Sequence, residues 1–326
     1  MATSLASFLP LTITLLLFPL LILASLAVGP AGLVNPLDPG SQLIARLRLM
    51  RTLLAVGVGT ALGLSGTLVQ YSVANPLASP SILGVSAGAL AAASAAYIVY
   101  RGSPPPAAPL AAAVMGGLAA YALTLAIASR AGLTRVSMVL AGIAVSSSLA
   151  GIASMLVIYI NARYHVASAL LLMGSFAYAV EEKVLVAAVA ALVAAATALI
   201  LANPLDALSY GDETALSLGY SPAKIRLAAT AAAVAATAAT VYAAGLIGFA
   251  DLVAANIARS IAGSHPSRSA PASALIGAEI ALAADIAGRL AATTIRLGEI
   301  PAGLLTSTVG GLFLAFLVAR KAGQGW

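Results

Sequence analysis

Thr52-Leu-Leu-Ala-Val-Gly-Val-Gly-Thr-Ala-Leu-Gly-Leu-Ser-Gly-Thr-Leu-Val-Gln-Tyr71 is a run of twenty residues without a charged side chain. A helix of roughly 20 predominantly apolar residues is what crosses the hydrocarbon core of a bilayer. Gly57, Gly59, Gly63 and Gly66 recur along the run at spacings of two to four. Small residues so placed let neighbouring membrane helices approach closely; the other reading is a flexible helix lining a pathway.

The same signal repeats on both sides of this run. Apolar stretches between polar or Gly/Pro breaks predict spans near 5–28, 52–71, 81–100, 108–128, 136–160, 184–202, 225–245, 249–262, 271–292 and 302–320. The 249–262 stretch is short and follows Gly245 and Gly248, which suggests a broken or partly re-entrant element. The expected fold is therefore an all-α polytopic membrane protein with about ten transmembrane helices, residues 1–326 forming one membrane domain. The runs lack the apolar/polar alternation of an outer-membrane barrel.

Composition agrees. Of 326 residues, 61% are hydrophobic and 8% charged, against about 25% charged in a soluble domain. A water-soluble protein is excluded, and no stretch is polar enough for an independent soluble domain, so any soluble activity belongs to another chain. There is no cysteine, hence no disulfide, thiolate metal site or cysteine nucleophile. The net charge of +6 is too dispersed for a nucleic-acid footprint. Met1 to Leu9 carries no Lys or Arg, so the first apolar run reads as a retained span rather than a signal peptide. Lys and Arg in the connecting segments, Arg296 among them, divide equally between the two sides, leaving orientation open.

The longest polar stretch with internal pattern is Asn203 to Arg226. It predicts two short helical pieces. Asp212 and Glu213 suit a helix first turn, Ala215 and Leu218 recur at helical spacing, and Gly219 is placed as a C-terminal stop. Its acidic polar face is unlike a helix lying on a bilayer surface, so docking onto a soluble partner is the better expectation.

Two further clusters carry information: Arg48-Leu-Met-Arg51 with Asn75-Pro-Leu-Ala-Ser-Pro80 and Leu83-Gly-Val-Ser-Ala-Gly88, and then Gly245-Leu-Ile-Gly-Phe-Ala-Asp251 through Asn256 to Arg259, Ala284-Asp285 with Arg289, and Glu299-Ile-Pro-Ala-Gly303. Taken in order from about residue 46 to the C-terminus, with Gly211-Asp-Glu-Thr-Ala-Leu-Ser-Leu-Gly219 between them, they resemble the permease subunits of ABC importers for iron-siderophores, haem and cobalamin. The resemblance implies a homodimer of ten-helix subunits in the inner membrane with cytoplasmic N- and C-termini, a path between the subunits, two ATP-binding ABC subunits and an extracytoplasmic substrate-binding protein. It implies a coupling segment at 203–226, with Asp212, Glu213, Ala215, Leu218 and Gly219 against the ATPase. It also implies outward Arg48, Arg51 and Arg289 docking the binding protein, unless they snorkel or pair with Asp285 and Glu299. By the same analogy the fifth and tenth spans line the path, with Ser146, Ser147, Thr306 and Ser307 as a weakly binding surface.

The chain departs from the family pattern at Asp251, where a glycine is usual, and at Ala255-Asn256, where Pro-His is usual. An acidic side chain costs about 3 kcal/mol at the bilayer centre on insertion scales. Asp251 is therefore expected at the mouth of the path or beside an ion partner, with Asn256 a companion in gating.

Gly63-Leu-Ser65-Gly66 matches an intramembrane serine-protease signature, but that chemistry needs a neighbouring histidine, and His165 and His265 both fall in predicted loops. No Walker loop occurs, so ATP must be handled by a partner. No paired His/Asp/Glu spacing suggests a resident metal, and no cofactor is expected on this chain. The rival transporter class is an ion-coupled secondary carrier, for which Asp251, Glu279 and Asp285 are the available acids.

Overall fold

A computed structural model of the chain describes residues 2–29, 32, 41–166, 172–295 and 298–322; Arg296 lies outside the described residues. Every regular element among them is a helix. In chain order these are α1 (Ala2–Ala27), α2 (Gln42–Ser72), α3 (Val85–Val99), α4 (Ala107–Arg130), α5 (Arg135–Tyr164), α6 (Glu181–Ile200), α7 (Ala202–Ser209), α8 (Asp212–Ser217), α9 (Pro222–Ala244), α10 (Ala250–Ala262), α11 (Pro266–Ile295) and α12 (Ala302–Ala322).

Each of the ten apolar runs falls on a helix, but they are not equivalent. Among the described residues seven helices, α2, α4, α5, α6, α9, α11 and α12, are long and apolar enough to cross a membrane. The 15 residues of α3 and 13 of α10 reach only about 20 Å at 1.5 Å per residue, short of a hydrocarbon core of about 30 Å.

The quoted run is the middle of the most enclosed helix. α2 packs against α11, α6, α9 and α10, and from Ala61 to Ser72 every residue is buried. Its glycines explain the closeness. A Cβ at Gly59 would collide with the backbone carbonyl of Gly277, one at Gly63 with that of Ser273, and one at Gly66 with that of Asp251. α2 and α11 thus touch backbone to backbone, the arrangement that small residues permit in membranes. Ser65 is fully buried in this packing, while His165 caps the end of α5 and His265 precedes α11.

Around this centre, α4, α5, α6 and α12 turn most of their apolar side chains outward. Between α9 and α10 the chain breaks at Gly245 and Phe249, both at positive φ. Phe249 has φ of 60°, uncommon for a residue with a Cβ. A second irregular stretch, residues 73–84, joins α2 to α3. Asn75 organises it: its Oδ1 accepts from Leu77 N at 3.0 Å and its Nδ2 donates to the Arg135 carbonyl at 3.3 Å.

Candidate functional site

The irregular stretches 73–84 and 245–249, together with α5 and α12, enclose a cavity of about 510 Å³. Its wall takes Leu77, Ser81 and Ile82 from the first stretch, Ser86 from α3, Ile143, Ser146 and Ser147 from α5, Gly248 and Phe249 from the second, and Leu304, Ser307 and Leu314 from α12. Among the described residues no charged side chain lines it. The hydroxyls are partly committed within the protein. Ser146 Oγ donates to the Ile82 carbonyl at 3.1 Å, and Ser81 Oγ lies 3.2 Å from Ser86 Oγ.

Ser146, Ser147 and Ser307 therefore line the same cavity, the first two from α5 and the third from α12. Thr306 does not join them; it is buried, and its Oγ1 donates to the Gly303 carbonyl at 3.1 Å.

Asp251 corrects the expectation placed on it. It does not stand at a mouth and has no ion partner among the described residues: it is fully buried, its Oδ1 accepts from Leu252 N at 2.8 Å and its Oδ2 from Ser81 N at 3.0 Å. The reason is its position in the first turn of α10, where unsatisfied amides and the positive dipole end suit a carboxylate. Asn256 works beside it. Its Nδ2 donates to the carbonyls of Pro76 and Leu252, both at 2.9 Å. The two side chains fasten α10 to the 76–81 segment from behind the cavity wall.

The three arginines expected to dock a partner converge, but inward. Arg51 Nε and Nη2 bond Asp285 Oδ1 at 2.9 and 2.6 Å, and Nη2 also pairs with Glu299. Arg289 Nη2 reaches the other oxygen of Asp285 at 2.9 Å. Arg289 Nη1 donates to the carbonyls of Ser25 and Val28 at 2.8 and 2.7 Å, and Arg48 to those of Ala27 and Gly32 at 2.5 and 2.9 Å. Arg48 and Arg289 thereby satisfy carbonyls at the C-terminal end of α1, the end that favours cations. Both are buried, and the Arg51 side chain is only 12% exposed. The pairing of Arg289 with Asp285 is the i,i+4 contact that the sequence allowed as the alternative to docking.

At the opposite end of α2 lies the 203–226 segment, which forms the two short helices α7 and α8. Asp212 and Glu213 occupy the first turn of α8, Ala215 is fully buried beneath it, and Gly219 turns the chain with φ of 82°. Leu218 is not on the face of Ala215. It points outward with Tyr210 and Leu216, all three more than half exposed. Arg226 holds Asp212 through two bonds of 2.8 and 2.6 Å while its Nε donates to the Ser72 carbonyl at 3.0 Å. The Arg226 hydrogen bonds keep the Asp212 carboxyl below the usual carboxylate range. Asp206 accepts from Ser267 N at 3.2 Å. The segment is pinned to the ends of both α2 and α11, the helices that pack backbone to backbone.

A profile of the FecCD transport family matches residues 11–320. The chain belongs to the FecCD transport family. Relatives in it include the iron(3+)-hydroxamate import system permease protein FhuB of Bacillus subtilis, 34% identical over 290 residues, covering 88% of this chain and 74% of that one. The hemin transport system permease protein HmuU of Yersinia pestis is 33% identical over 325 residues, covering 94% and 96%. A solved structure described as an inward-facing conformation of a metal-chelate type ABC transporter superposes with a TM-score of 0.77 at 26% identity, covering 95% of this chain and 98% of that one.

For this FecCD chain, part of the cavity wall was not singled out in the sequence. Ser81, Ser86 and Phe249 line it beside Gly248 because two backbone breaks meet, and Asn75-Pro76, Gly245 and Gly248 were the local signs of those breaks.

Proposed function

We propose that this chain is the permease subunit of an ATP-driven ABC importer that carries a metal chelate, of the ferric-siderophore, haem or cobalamin class, across the cytoplasmic membrane. Two copies enclose the path. Each has about ten membrane helices, short α3 and α10 included, with both termini on the cytoplasmic side. The single membrane domain holds no catalytic residue; two ABC ATPase subunits hydrolyse ATP, and an extracytoplasmic binding protein delivers cargo. The observation that carries this reading is the match to chelate-import permeases over nearly the whole chain, 96% of the length of one of them included.

The mechanism follows from how the segments are tied. The exposed Tyr210, Leu216 and Leu218, with Glu213, form the surface that meets the ATPase. Movement of the α7–α8 segment is passed from α8 through Arg226 to the end of α2 and from α7 through Asp206 to the start of α11. Those helices move together because their glycines lock them, and α12 tilts relative to α5, opening the cavity to alternate sides as rigid bodies. At the other end, the binding protein docks over the arginine cluster. Arg51 is the guanidinium that an acidic partner group can reach; Arg48 and Arg289 hold the end of α1 in the docking shape.

The rival reading, an ion-coupled carrier, has one supporting observation: Glu279 in α11 is buried and its Oε1 has no hydrogen-bond partner among the described residues. Reconstitution separates the two. The permease in liposomes with its ATPase, and with the binding protein on the cargo side, should accumulate a ferric chelate only when ATP is present, and unaltered by dissipating ion gradients. Uptake without the ATPase that collapses with the gradient and with Glu279→Gln would establish the carrier instead.

A further inference from the structure

The two links that leave the α7–α8 segment end beside a single guanidinium. Arg226 Nε donates to the carbonyl of Ser72, next in sequence to Gln70-Tyr71, and Asp206 accepts from the N–H of Ser267, in the same turn of α11 as Ser269. Gln70, Tyr71 and Ser269 are all buried. Against the first two lies Arg259, from the last turn of α10. Its Nη2 donates to Gln70 Oε1 at 3.2 Å, its guanidinium carbon lies 4.4 Å from the centre of the Tyr71 ring, and Ser269 Oγ donates to the Tyr71 hydroxyl at 3.1 Å. The ends of α2 and α10 and the start of α11 thus meet in one cluster.

Arg259 is held differently from the arginines at the opposite end of α2. There Arg51 and Arg289 share Asp285, and Arg48 and Arg289 fill carbonyls at the end of α1. Arg259 has no carboxylate partner among the described residues. Its charge is met by the face of a ring, one neutral amide oxygen and the negative end of the α10 dipole. Its Nε and the Nε2 of Gln70 are buried with no hydrogen-bond partner among the described residues. A buried donor left over lowers the net worth of a contact. Such a contact also tolerates sliding, because a ring face attracts a guanidinium over a range of positions whereas a bidentate carboxylate fixes it in one. One end of α2 is pinned, and this end is slack.

The helix that carries Arg259 also holds the cavity wall. Earlier in α10, Asp251 accepts from Ser81 N and Asn256 donates to the Pro76 carbonyl. Given the permease reading above, we infer that Arg259 is a positioning residue that makes α10 follow the coupling segment. ATP-driven movement of the α7–α8 segment shifts the end of α2 and the start of α11, Arg259 slides over Tyr71 without letting go, and α10 re-aims the 76–81 wall of the cavity. The slackness of the contact is what lets it survive the shift: tightened, it would hold one state, and removed, it would leave α10 behind.

The test sets stability against transport. The permease, its ATPase and the binding protein are reconstituted in liposomes with a labelled chelate: a ferric trihydroxamate, ferric citrate, haem or cobalamin, whichever the binding protein retains. ATP-dependent uptake, ATP hydrolysis and thermal melting are measured for two variants. Gln70→Glu gives Arg259 a carboxylate and tightens the contact; Arg259→Met removes the charge and keeps an apolar chain in its place. Neither strands a buried charge, so melting should hold or rise in both. Uptake should nonetheless fall about ten-fold in Arg259→Met and about three-fold in Gln70→Glu. In Arg259→Met the ATP hydrolysed per imported chelate should rise several-fold, because the coupling segment still moves while α10 no longer follows.

Uptake at the unaltered rate in either variant, or uptake that falls only in step with melting, would overturn the role of Arg259 while leaving an ATP-driven chelate permease standing. An unaltered complex that hydrolyses ATP and does not import the chelate its binding protein holds would overturn both readings.

Discussion

Arg46 and Arg51 stand five residues apart on the same helix and should differ sharply in what they contribute. Arg46 pairs with Glu181 at 2.6 Å, but both side chains are about 70% exposed, and such pairs are worth about 0–1 kcal/mol. Arg51 closes a buried cluster in which Asp285 is fully enclosed. Removing one partner of a buried pair typically costs about 3–5 kcal/mol because a charge is left uncompensated; the second arginine on Asp285 puts Arg51→Met toward the lower end. Thermal melting in detergent should show a large fall for Arg51→Met and none resolvable for Arg46→Met. Restoration of melting in Arg51→Met by a second change, Glu299→Gln, would show that the stranded carboxylate is the cause. Asp212 gives a pH prediction at the same scale. Arg226 holds its folded value below the ordinary carboxylate value of about 4. The pair's contribution is therefore complete above that value and is lost only as pH falls through the lower folded value. ATPase binding should be flat between about pH 6 and 8 as far as this pair is concerned. Asp212→Asn should weaken that binding several-fold while moving stability by less than about 1 kcal/mol, as for an exposed pair.

At the scale of elements, the α2–α11 contact makes the glycines graded rather than interchangeable. Alanine at Gly59, Gly63 or Gly277 meets a backbone carbonyl and must push two helices apart. Overpacking costs about 1–3 kcal/mol, sometimes more, and here no flexible side chain can yield. Alanine at Gly57 meets the Ala187 side chain at 3.1 Å and should cost less. Alanine at Gly151 meets nothing within 4 Å and should be neutral or gain up to about 1 kcal/mol in helix propensity. Melting of the five variants should follow that order. The glycine spacing was legible in the sequence, but the partner of each glycine was not, because Gly277 lies over two hundred residues away. Helix positions were legible for a similar reason and failed for an instructive one. α2 begins at Gln42 rather than near residue 52 because the charges of Arg46, Arg48 and Arg51, which end a hydropathy run, are each satisfied by a distant group. α11 likewise starts at Pro266, ahead of Pro271, where an internal proline costs a single backbone bond. The serines of α5 and α12 could be chosen from helical content alone. The inward burial of Asp251 could not, because it depends on Ser81 N–H arriving from another segment.

At the scale of the molecule, the outward apolar faces of α4, α5, α6 and α12 exceed what one copy covers, and under the proposed two-copy arrangement lipid and the second copy divide them. The proposed path between subunits assigns α12 to the second copy. In a two-fold symmetric pair, a residue near the axis meets its own copy, whereas residues on lipid-facing helices do not. The chain has no cysteine, so single introduced cysteines report without background, and a disulfide needs Cα atoms about 5.5 Å apart. Val309, Leu312 and Phe316 are exposed and lie on one side of α12, at spacings of three and four. Oxidation of cysteine variants along α12 in membranes should give linked dimers with that periodicity, strongest within this set, while Met115→Cys in α4 and Leu192→Cys in α6 stay monomeric. Cross-linking at α4 or α6 in place of α12 would move the subunit interface to another face. The cavity, bounded by α5 and α12, would then open to lipid instead of to a second copy, and alternating access between two subunits would fail with it.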